Sequence, residues 1–324
     1  MSVRSVLAAC ALPVGSVAVL LVALVVAGEL PLALPSAAAL VRLSLVLLAG
    51  IAFSLAFSTL AWVQVARENK VLGRRKVLEG LGIRETPESR RVVVGFFHPF
   101  CHAGGGGERV LYEAIAHHQR NDPSVVCVVY TGDLTSQPSD KRKEAILQRC
   151  RERFGITVQP DTIAFVPVRY RRLVEDDYWR HFTLLGQSLG SVFMAQEAVG
   201  RLTPDVFVDS MGYAFSLPVV KFVSPQTRVG AYVHYPTIST DMLRRVQRRE
   251  AGITNARGVA SSSVLTAVKL VYYRLFAAAY GAALRTADCI AVNGSWTRAH
   301  IEELLAWRLL PPLWAVPKLP EVCT

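Results

Sequence analysis

Residues Val92–Val110 have the sequence VVVGFFHPFCHAGGGGERV and contain the most informative pattern in the chain. The first six residues are a continuous apolar run, which is typical of a strand buried on both faces. Four consecutive glycines follow, and a helical pattern begins at Glu108. Glycines let a backbone approach a ligand closely, and a helix N-terminus offers unpaired N–H groups to an anion. This order of strand, glycines and helix therefore predicts a binding site for a phosphate or a glycosyl diphosphate.

The spacing of the glycines weakens two other interpretations. It matches neither G-x-G-x-x-G nor G-x-x-x-x-G-K-[ST], so dinucleotide and P-loop sites lose their specific support. A flexible turn without a ligand stays open as an alternative. His98 and His102 are four residues apart, but Pro99 prevents a helix there and no third ligand with metal-like spacing follows. No metal or other cofactor is expected.

Apolar runs alternate with helical patterns through the rest of the chain. Strands that are apolar on both faces and alternate with helices imply a parallel sheet covered on both sides. We therefore predict an α/β, Rossmann-like doubly wound domain. The expected strands are Val92–Phe97, Val125–Tyr130, Ile163–Val166, Val206–Asp209, Val229–His234 and Cys289–Val292, with a weaker β-like stretch at Ile156–Val158. The expected helices are Glu108–Arg120, Lys141–Phe154, Val168–Arg180, Thr183–Val199, Tyr213–Phe222, Val264–Arg285 and one that begins at Ser295.

The ligand of such a domain binds beyond the carboxyl ends of its strands. His234 lies at a strand end, where it can bind a sugar hydroxyl, transfer a proton or be structural. Asp209 ends another strand and can bind a hydroxyl or cap the next helix. The loops at this edge are Phe97–Gly107, Thr131–Thr135, Asp209–Tyr213, His234–Ser239 and Asn293–Ser295.

Charge is distributed unevenly along the 324 residues, which contain 36 Lys and Arg against 25 Asp and Glu. Residues 1–66 have only three charged side chains, and two uncharged stretches, Ser5–Gly28 and Leu43–Ala66, are each long enough to span a membrane. Basic residues from Arg67 onward place the globular part in the cytosol by the positive-inside rule. The expected organisation is a membrane anchor of one or two spans (1–66), a basic linker (67–90), the Rossmann-like domain (91–301) and a divergent tail (302–324). This composition excludes disordered, collagen-like and disulfide-scaffold classes.

Two further segments have more than one interpretation. Arg244, Arg245, Arg248 and Arg249 are expected on one side of a helix, where nucleic acid, an acidic substrate or anionic lipid is a possible partner. The upstream anchor favours a lipid surface or a lipid diphosphate over nucleic acid, and a plain solvated face stays open. Helix Val264–Arg285 fits a core helix or an interfacial one, with core slightly preferred.

Several strings carry a family resemblance. FFHPFCHAGGGGERVLYEAI (Phe96–Ile115) resembles the glycine-rich loop of the endoplasmic-reticulum, GDP-mannose-dependent α-1,2-mannosyltransferases that extend dolichol-linked oligosaccharide, of the glycosyltransferase family four type. The resemblance continues in order over most of residues 92–301. The other strings are Val128–Asp133, Arg169–Ser191, Pro204–Pro218, Val229–Leu243, Lys269–Gly281 and Val292–Ile301.

The resemblance implies the N-terminal, acceptor-side domain of a retaining GT-B glycosyltransferase that uses no metal. It implies GDP-mannose as donor and dolichyl-diphosphate-linked oligosaccharide as acceptor, at the cytosolic face of the endoplasmic-reticulum membrane. Other mannosyltransferases of that membrane are further expected partners. His234 is the candidate catalytic residue, since the family's histidine at the matching strand end contacts the sugar. The candidate substrate-binding residues are Gly104, Gly105, Gly106, Gly107, Glu108, Arg109, Asp209, Tyr213 and Tyr235.

The resemblance stops after about Ile301, so a second, GDP-binding domain is expected to be missing. This chain alone is then expected to show negligible mannose transfer. A non-catalytic form that binds lipid-linked oligosaccharide or other glycosyltransferases is the alternative hypothesis. A nicotinamide-dependent oxidoreductase, with Asp133 holding a ribose, is a third hypothesis that the glycine spacing disfavours.

Overall fold

The computed structural model describes residues 37–86, 88–133, 139–252, 257–306 and 320–323. The chain divides into two compact units, Met1–Asn69 and Lys70–Thr324. Helix α1, Ala37–Gly80, begins in the first unit and ends in the second. The expected span Ser5–Gly28 lies outside the described residues. No helix within the described ranges combines the length and apolar character needed to cross a membrane, so the span expected at Leu43–Ala66 is not supported.

The second unit contains a single parallel sheet. Its described strands are β1 Val92–Phe97, β2 Val125–Thr131, β3 Ile163–Pro167, β4 Val206–Asp209, β5 Arg228–Val233, β6 Cys289–Val292 and β7 Glu321–Cys323. They lie in the order β3-β2-β1-β4-β5-β6-β7, and every neighbouring pair is parallel. The predicted α/β class and parallel sheet are confirmed. Chain order reverses direction across the sheet between β1 and β4, which makes their carboxyl ends the topological switch point.

Helices connect most of these strands, as the alternating pattern predicts. The α-helices after α1 are α2 Gly106–Asn121, α3 Ser139–Phe154, α4 Thr183–Arg201, α5 Ser216–Val223, α6 Thr240–Gln247, α7 Arg257–Ser261, α8 Ser263–Leu284 and α9 Ser295–Ala306. Short 3-10 turns occupy Pro160–Thr162, Tyr170–Val174 and Asp176–Tyr178.

Strand β1 is buried on both faces, which explains its unbroken apolar sequence. Val94 and Phe96 face a core formed with α2, where Leu111 and Ile115 are almost fully enclosed. On the opposite face Phe97 is fully buried and contacts the ring of Phe207 in β4 at 5.6 Å between centroids. A strand enclosed in this way is held in one register, because a one-residue slip would exchange its two buried faces. That register fixes where the residues after Phe97 emerge.

An ion-pair network joins the amino ends of β1 and β4. Asp205 precedes β4, accepts from the backbone N–H of Val93 at 3.0 Å and pairs with Arg74 at 2.7 Å. Arg74 is largely buried and also pairs with Glu85 at 2.8 Å. Burial alone would raise the pKa of Asp205, but Val93 and Arg74 hold it below its ordinary value. The network stabilises the edge of the sheet opposite the switch point.

The helix predicted over Val168–Arg180 is wrong. The segment forms two 3-10 turns separated by Glu175, whose backbone is extended (φ −78°, ψ 139°). The indole of Trp179 folds back to donate to the carbonyl of Leu173 at 2.7 Å, and the segment packs on α4. Tertiary packing on that helix overrides the local helical pattern.

The expected helical arginine face is also wrong. Helix α6 ends at Gln247, so Arg248 and Arg249 lie beyond it. Arg249 has a left-handed backbone (φ 57°), and its guanidinium donates to the carbonyls of Ala260 and Ser261. Arg249 therefore holds a loop in place rather than presenting charge with Arg244.

Three smaller differences concern individual segments. Ile156 and Val158 are buried and Thr157 is exposed, but the segment forms no strand. Helix α5 begins at Ser216 rather than at Tyr213, with Pro218 in its first turn, where a missing N–H costs little. In the tail, Glu321–Cys323 adds a parallel edge strand to β6, which the apparent divergence of that segment did not predict.

We predict that Gly190→Ala destabilises the second unit by about 1–3 kcal/mol, the usual cost of overpacking. A Cβ at Gly190 would overlap the carbonyl group of Leu173 and lie 2.7 Å from its carbon atom. The matched control is Gly200→Ala in the same helix, where nothing lies within 4 Å of the added carbon. That change should be neutral or stabilise by up to about 1 kcal/mol. Urea unfolding of both variants checks the prediction, and equal midpoints would contradict it.

Candidate functional site

The candidate site lies where β1 and β4 end, at the switch point of the sheet. His98 directly follows β1 and is fully buried. Its Nδ1 lies 2.9 Å from the hydroxyl of Ser210, which directly follows β4. The same hydroxyl is 3.4 Å from the carbonyl oxygen of Phe97. These bonds fix the imidazole of His98 between the two strands on either side of the switch point.

Glu108 connects this imidazole to the start of α2. One carboxylate oxygen lies 3.4 Å from Nε2 of His98, and the other accepts from the backbone N–H of Gly105 at 2.6 Å. Burial by itself raises the pKa of Glu108, but His98 and the N–H groups of Gly105 and Glu108 outweigh it and hold the pKa below its ordinary value. Glu108 is therefore an ionised, buried carboxylate that caps the helix from its third position.

The four glycines have different roles in the local backbone. Gly104 has a left-handed conformation (φ 87°), which favours glycine, and Gly105 is the N-cap of α2. Gly106 and Gly107 form the first turn of the helix, which begins two residues before the predicted start. A Cβ on Gly107 would lie 3.5 Å from Nε2 of His234. The absence of that carbon leaves space between the helix and the histidine.

His234 follows β5 and is half-buried, with its ring 4.7 Å from that of Tyr232. Burial lowers the pKa of His234 and the nearby His98 acts in the same direction, while a hydrogen bond to the backbone of Ser210 opposes the shift. Nε2 is buried and has no partner among the described residues. It therefore lies beside Gly107 without a hydrogen bond.

Asp209 ends β4 and is almost fully buried. One carboxylate oxygen accepts from the backbone N–H of Met211 at 3.0 Å, and the other has no partner in the part of the chain that the structure describes. Burial raises the pKa of Asp209 to about 7, although the N–H groups of Met211, Gly212 and Tyr213 act against the shift. Asp209 thus caps its own turn rather than α5, which begins at Ser216.

Tyr213, Tyr235 and Arg109 surround the site at greater distance. The ring of Tyr213 contacts Phe97 edge-on at 6.2 Å, and burial raises the pKa of its hydroxyl. Tyr235 is exposed and stacks on Trp296. Arg109 is exposed in the first turn of α2. The structure therefore brings Gly107 and Glu108 close to His234, encloses Asp209 in its own turn, and leaves Arg109 and Tyr235 exposed.

The loop after β2 has a structural role in its described part. Asp133 accepts from the backbone N–H of His102 at 3.0 Å and pairs with Arg171 at 2.6 Å. These contacts secure the glycine-containing loop from one side and occupy the carboxylate that the oxidoreductase hypothesis assigned to a ribose. Thr135 lies outside the described residues.

Sequence reasoning missed Ser210 and Trp296. Ser210 lies 112 residues from His98 along the chain, and only the pairing of β1 with β4 brings them together. Its position directly after an apolar strand is the sequence feature that could have identified Ser210 as a site residue. Trp296, directly after the expected loop Asn293–Ser295, had the same kind of signal.

The parallel sheet and the glycine-opened helix at its switch point define a Rossmann-like domain of the kind found at the N-terminus of glycosyltransferases. Residues 91–305 match the family model described as ALG11 mannosyltransferase N-terminus. The chain belongs to this family, as the sequence resemblance predicted. No solved structure matches the chain.

Curated relatives carry the name GDP-Man:Man(3)GlcNAc(2)-PP-Dol alpha-1,2-mannosyltransferase. The human relative is 48% identical over 220 residues, which cover 68% of this chain and 43% of that protein. The Neurospora crassa relative is 46% identical over 216 residues, covering 65% of this chain and 37% of its own length. The Caenorhabditis elegans relative is 46% identical over 215 residues, with shares of 66% and 44%. The chain thus spans less than half the length of these relatives.

We predict that Asp209→Asn changes how stability depends on pH. A carboxyl group whose pKa is raised on folding contributes most at low pH, and its contribution is lost as the pH rises from about 4 to about 7. Between pH 4.5 and pH 8 the wild type should lose roughly 2–4 kcal/mol of stability relative to this variant. Urea unfolding at several pH values measures the difference, and parallel pH profiles would contradict the assignment.

Asp288→Asn serves as a control of opposite sign. Burial alone would raise the pKa of Asp288, but Lys221 and the N–H of Val229 hold it below its ordinary value. The stability that Asp288 contributes is present above about pH 4 and is lost as the pH falls further. The difference between the wild type and Asp288→Asn should therefore shrink under acid conditions.

Proposed function

We propose that this chain supplies the acceptor-side domain of a retaining α-1,2-mannosyltransferase. The enzyme would transfer mannose from GDP-mannose to dolichyl-diphosphate-linked oligosaccharide in the synthesis of the N-glycan precursor. Membership of the family and the names of the relatives support this hexosyltransferase activity. The alternative of a non-catalytic binding protein has no comparable support.

The observation that carries the proposal is the unpartnered Nε2 of His234 opposite Gly107. In the proposed reaction, the bond between mannose C1 and the diphosphate oxygen breaks, and a bond forms from C1 to the acceptor 2-oxygen. A neutral histidine can accept a hydrogen bond from a sugar hydroxyl at this point, or take up its proton. Because Gly107 has no side chain, a sugar can approach that nitrogen more closely than it could beside any other residue.

The acceptor in the relatives' names is linked to dolichol through a diphosphate, so this enzyme would work at a lipid surface. We place it at the cytosolic face of the endoplasmic-reticulum membrane. An apolar surface on α4 and α8 supports this location. It comprises Phe182, Leu185, Leu189 and Phe193 at and along α4 and Val264, Val268, Val271 and Leu275 along α8, all exposed by 44–69%.

The two halves of this apolar surface adjoin each other. Phe182 contacts the ring of Tyr272 in α8 at 5.5 Å between centroids. The α8 residues recur at intervals of three and four and so share one helix face, while Phe276 and Tyr280 on the other face are buried in the core. Helix α8 therefore combines the core and interfacial features that its sequence left as alternatives. Large apolar patches of this kind mark protein or membrane contacts.

We predict that a chimera restores transfer. Residues 91–305 of this chain replace the matching segment of the human relative, and radiolabelled GDP-mannose is supplied with a dolichyl-diphosphate-linked Man3GlcNAc2 acceptor. His234→Ala in the chimera should lower kcat/KM by about 100-fold or more, in line with the loss of an acid–base group. The control His117→Ala, an exposed position on α2, should transfer normally. A folded chimera without transfer, or a fully active His234→Ala chimera, would count against the proposal.

We predict that the apolar surface contacts lipid. A fluorophore at Val268→Cys in the full chain, reconstituted with vesicles containing phosphatidylinositol, should be quenched by nitroxide-labelled lipid because Val268 would lie at acyl-chain depth. The matched label at Glu144→Cys, exposed on α3, should stay unquenched. Both use a background with Cys10, Cys289 and Cys323 replaced by Ser. Equal quenching at the two positions would exclude a specific role for the surface.

A further inference from the structure

Three aromatic rings stack beside the candidate site. The rings of Tyr235 and Trp296 lie 5.0 Å apart between centroids and within 24° of parallel. The imidazole of His300 packs against Trp296 at 4.0 Å. Tyr235 is 58% exposed and Trp296 is 42% exposed. The outermost ring of the stack therefore keeps one face open to solvent.

The stack is supported from within α9. His300 lies one turn after Trp296, is largely buried, and donates from Nδ1 to the carbonyl of Trp296 at 2.8 Å. This bond fixes the imidazole, which in turn supports the indole. Tyr235 belongs to another loop, between His234 and the buried Pro236. The contact with Trp296 in α9 thus orients the tyrosine ring, so less conformational freedom remains to be lost when a ligand binds.

The position of the stack relative to His234 is set by the sheet. Tyr235 follows β5 and Trp296 lies just beyond the carboxyl end of β6, the next strand outward. Neighbouring strands are about 4.8 Å apart, so Trp296 lies about one strand spacing outward from the end of β5. Tyr235 directly follows His234, so a sugar ring on the tyrosine would neighbour the sugar that reaches His234.

We propose that Tyr235, backed by Trp296, is a stacking platform for a pyranose ring of the acceptor oligosaccharide. The C–H groups on one face of a pyranose are apolar and pack on an aromatic ring, while its hydroxyls stay in water at the edge. Tyrosine and tryptophan supply such contact area at low entropic cost. This inference rests on the proposed function, and it assigns the sugar neighbouring the reacting mannose to Tyr235 and a structural role to Trp296.

The test measures binding of the soluble pentasaccharide Man3GlcNAc2 to the full chain by titration and by saturation-transfer NMR. Tyr235→Leu should weaken binding about tenfold and abolish saturation transfer to the apolar face of one pyranose. Tyr235→Phe keeps the ring and should bind within twofold of the wild type. Trp296→Leu should weaken binding by a smaller factor. The control Tyr178→Leu removes an exposed tyrosine that packs on Trp179 elsewhere and should have no effect.

Several outcomes would overturn the platform. Wild-type affinity of Tyr235→Leu, an equal loss in Tyr235→Phe, or no binding of the pentasaccharide to the wild type would each do so. Guanosine monophosphate is titrated in parallel, because a nucleobase also stacks on tyrosine. If Tyr235→Leu weakens only nucleotide binding, the ring binds a base and not a sugar.

The transfer assay on the chimera distinguishes this inference from the proposed function. If the chimera transfers mannose normally and Tyr235→Leu does not weaken pentasaccharide binding, the platform is refuted and the proposed function stands. Absence of transfer in a folded chimera would refute the proposed function itself.

Discussion

The arrangement of this molecule depends on the parallel pairing of β1 with β2 on one side and β4 on the other. Parallel strands end at a common edge, and every residue of the candidate site ends or follows a strand or opens the helix after one. His98 and Ser210 meet because Phe97 pairs with Asp209 at the last position of the two strands. The burial of β1 on both faces makes this register costly to change. The buried core thus fixes the positions of the site residues that follow the strands.

Sequence patterns predicted the strands well because burial leaves a direct trace in the sequence. All seven residues of β2 are buried, and its run of valines admits no other interpretation than a central strand. Helices that pack along the strands, such as α2 and α3, were also located to within two residues. In each case the same residues determine both the local conformation and the packing.

Prediction failed where one segment's conformation is set by another. The stretch after β3 has a helical pattern, but Trp179 and Leu173 pack on the glycines of α4 and impose 3-10 turns. Arg249 breaks the expected arginine face because it bonds carbonyls at the end of α7. The site shows the same limit, because Ser210 bonds a histidine 112 residues away and Trp296 supports a tyrosine 61 residues earlier. No local pattern encodes such pairs.

The sequence predicted that the glycines bind a phosphate, and the charges around them weaken that prediction. Ionised Glu108 already accepts from the backbone N–H of Gly105, so it neutralises part of the positive potential at the start of α2. Burial lowers the pKa of His234, which leaves that ring uncharged at neutral pH. Asp209, with a pKa near 7, is only partly ionised there. The described edge thus lacks a buried cation aimed at Gly107, whereas Nε2 of His234 and the second oxygen of Asp209 are buried there without a hydrogen-bond partner. Groups of this kind discriminate between sugars through hydrogen bonds rather than through charge. In the proposed function, this edge of the sheet is therefore better suited to hold the sugar rings than the diphosphate.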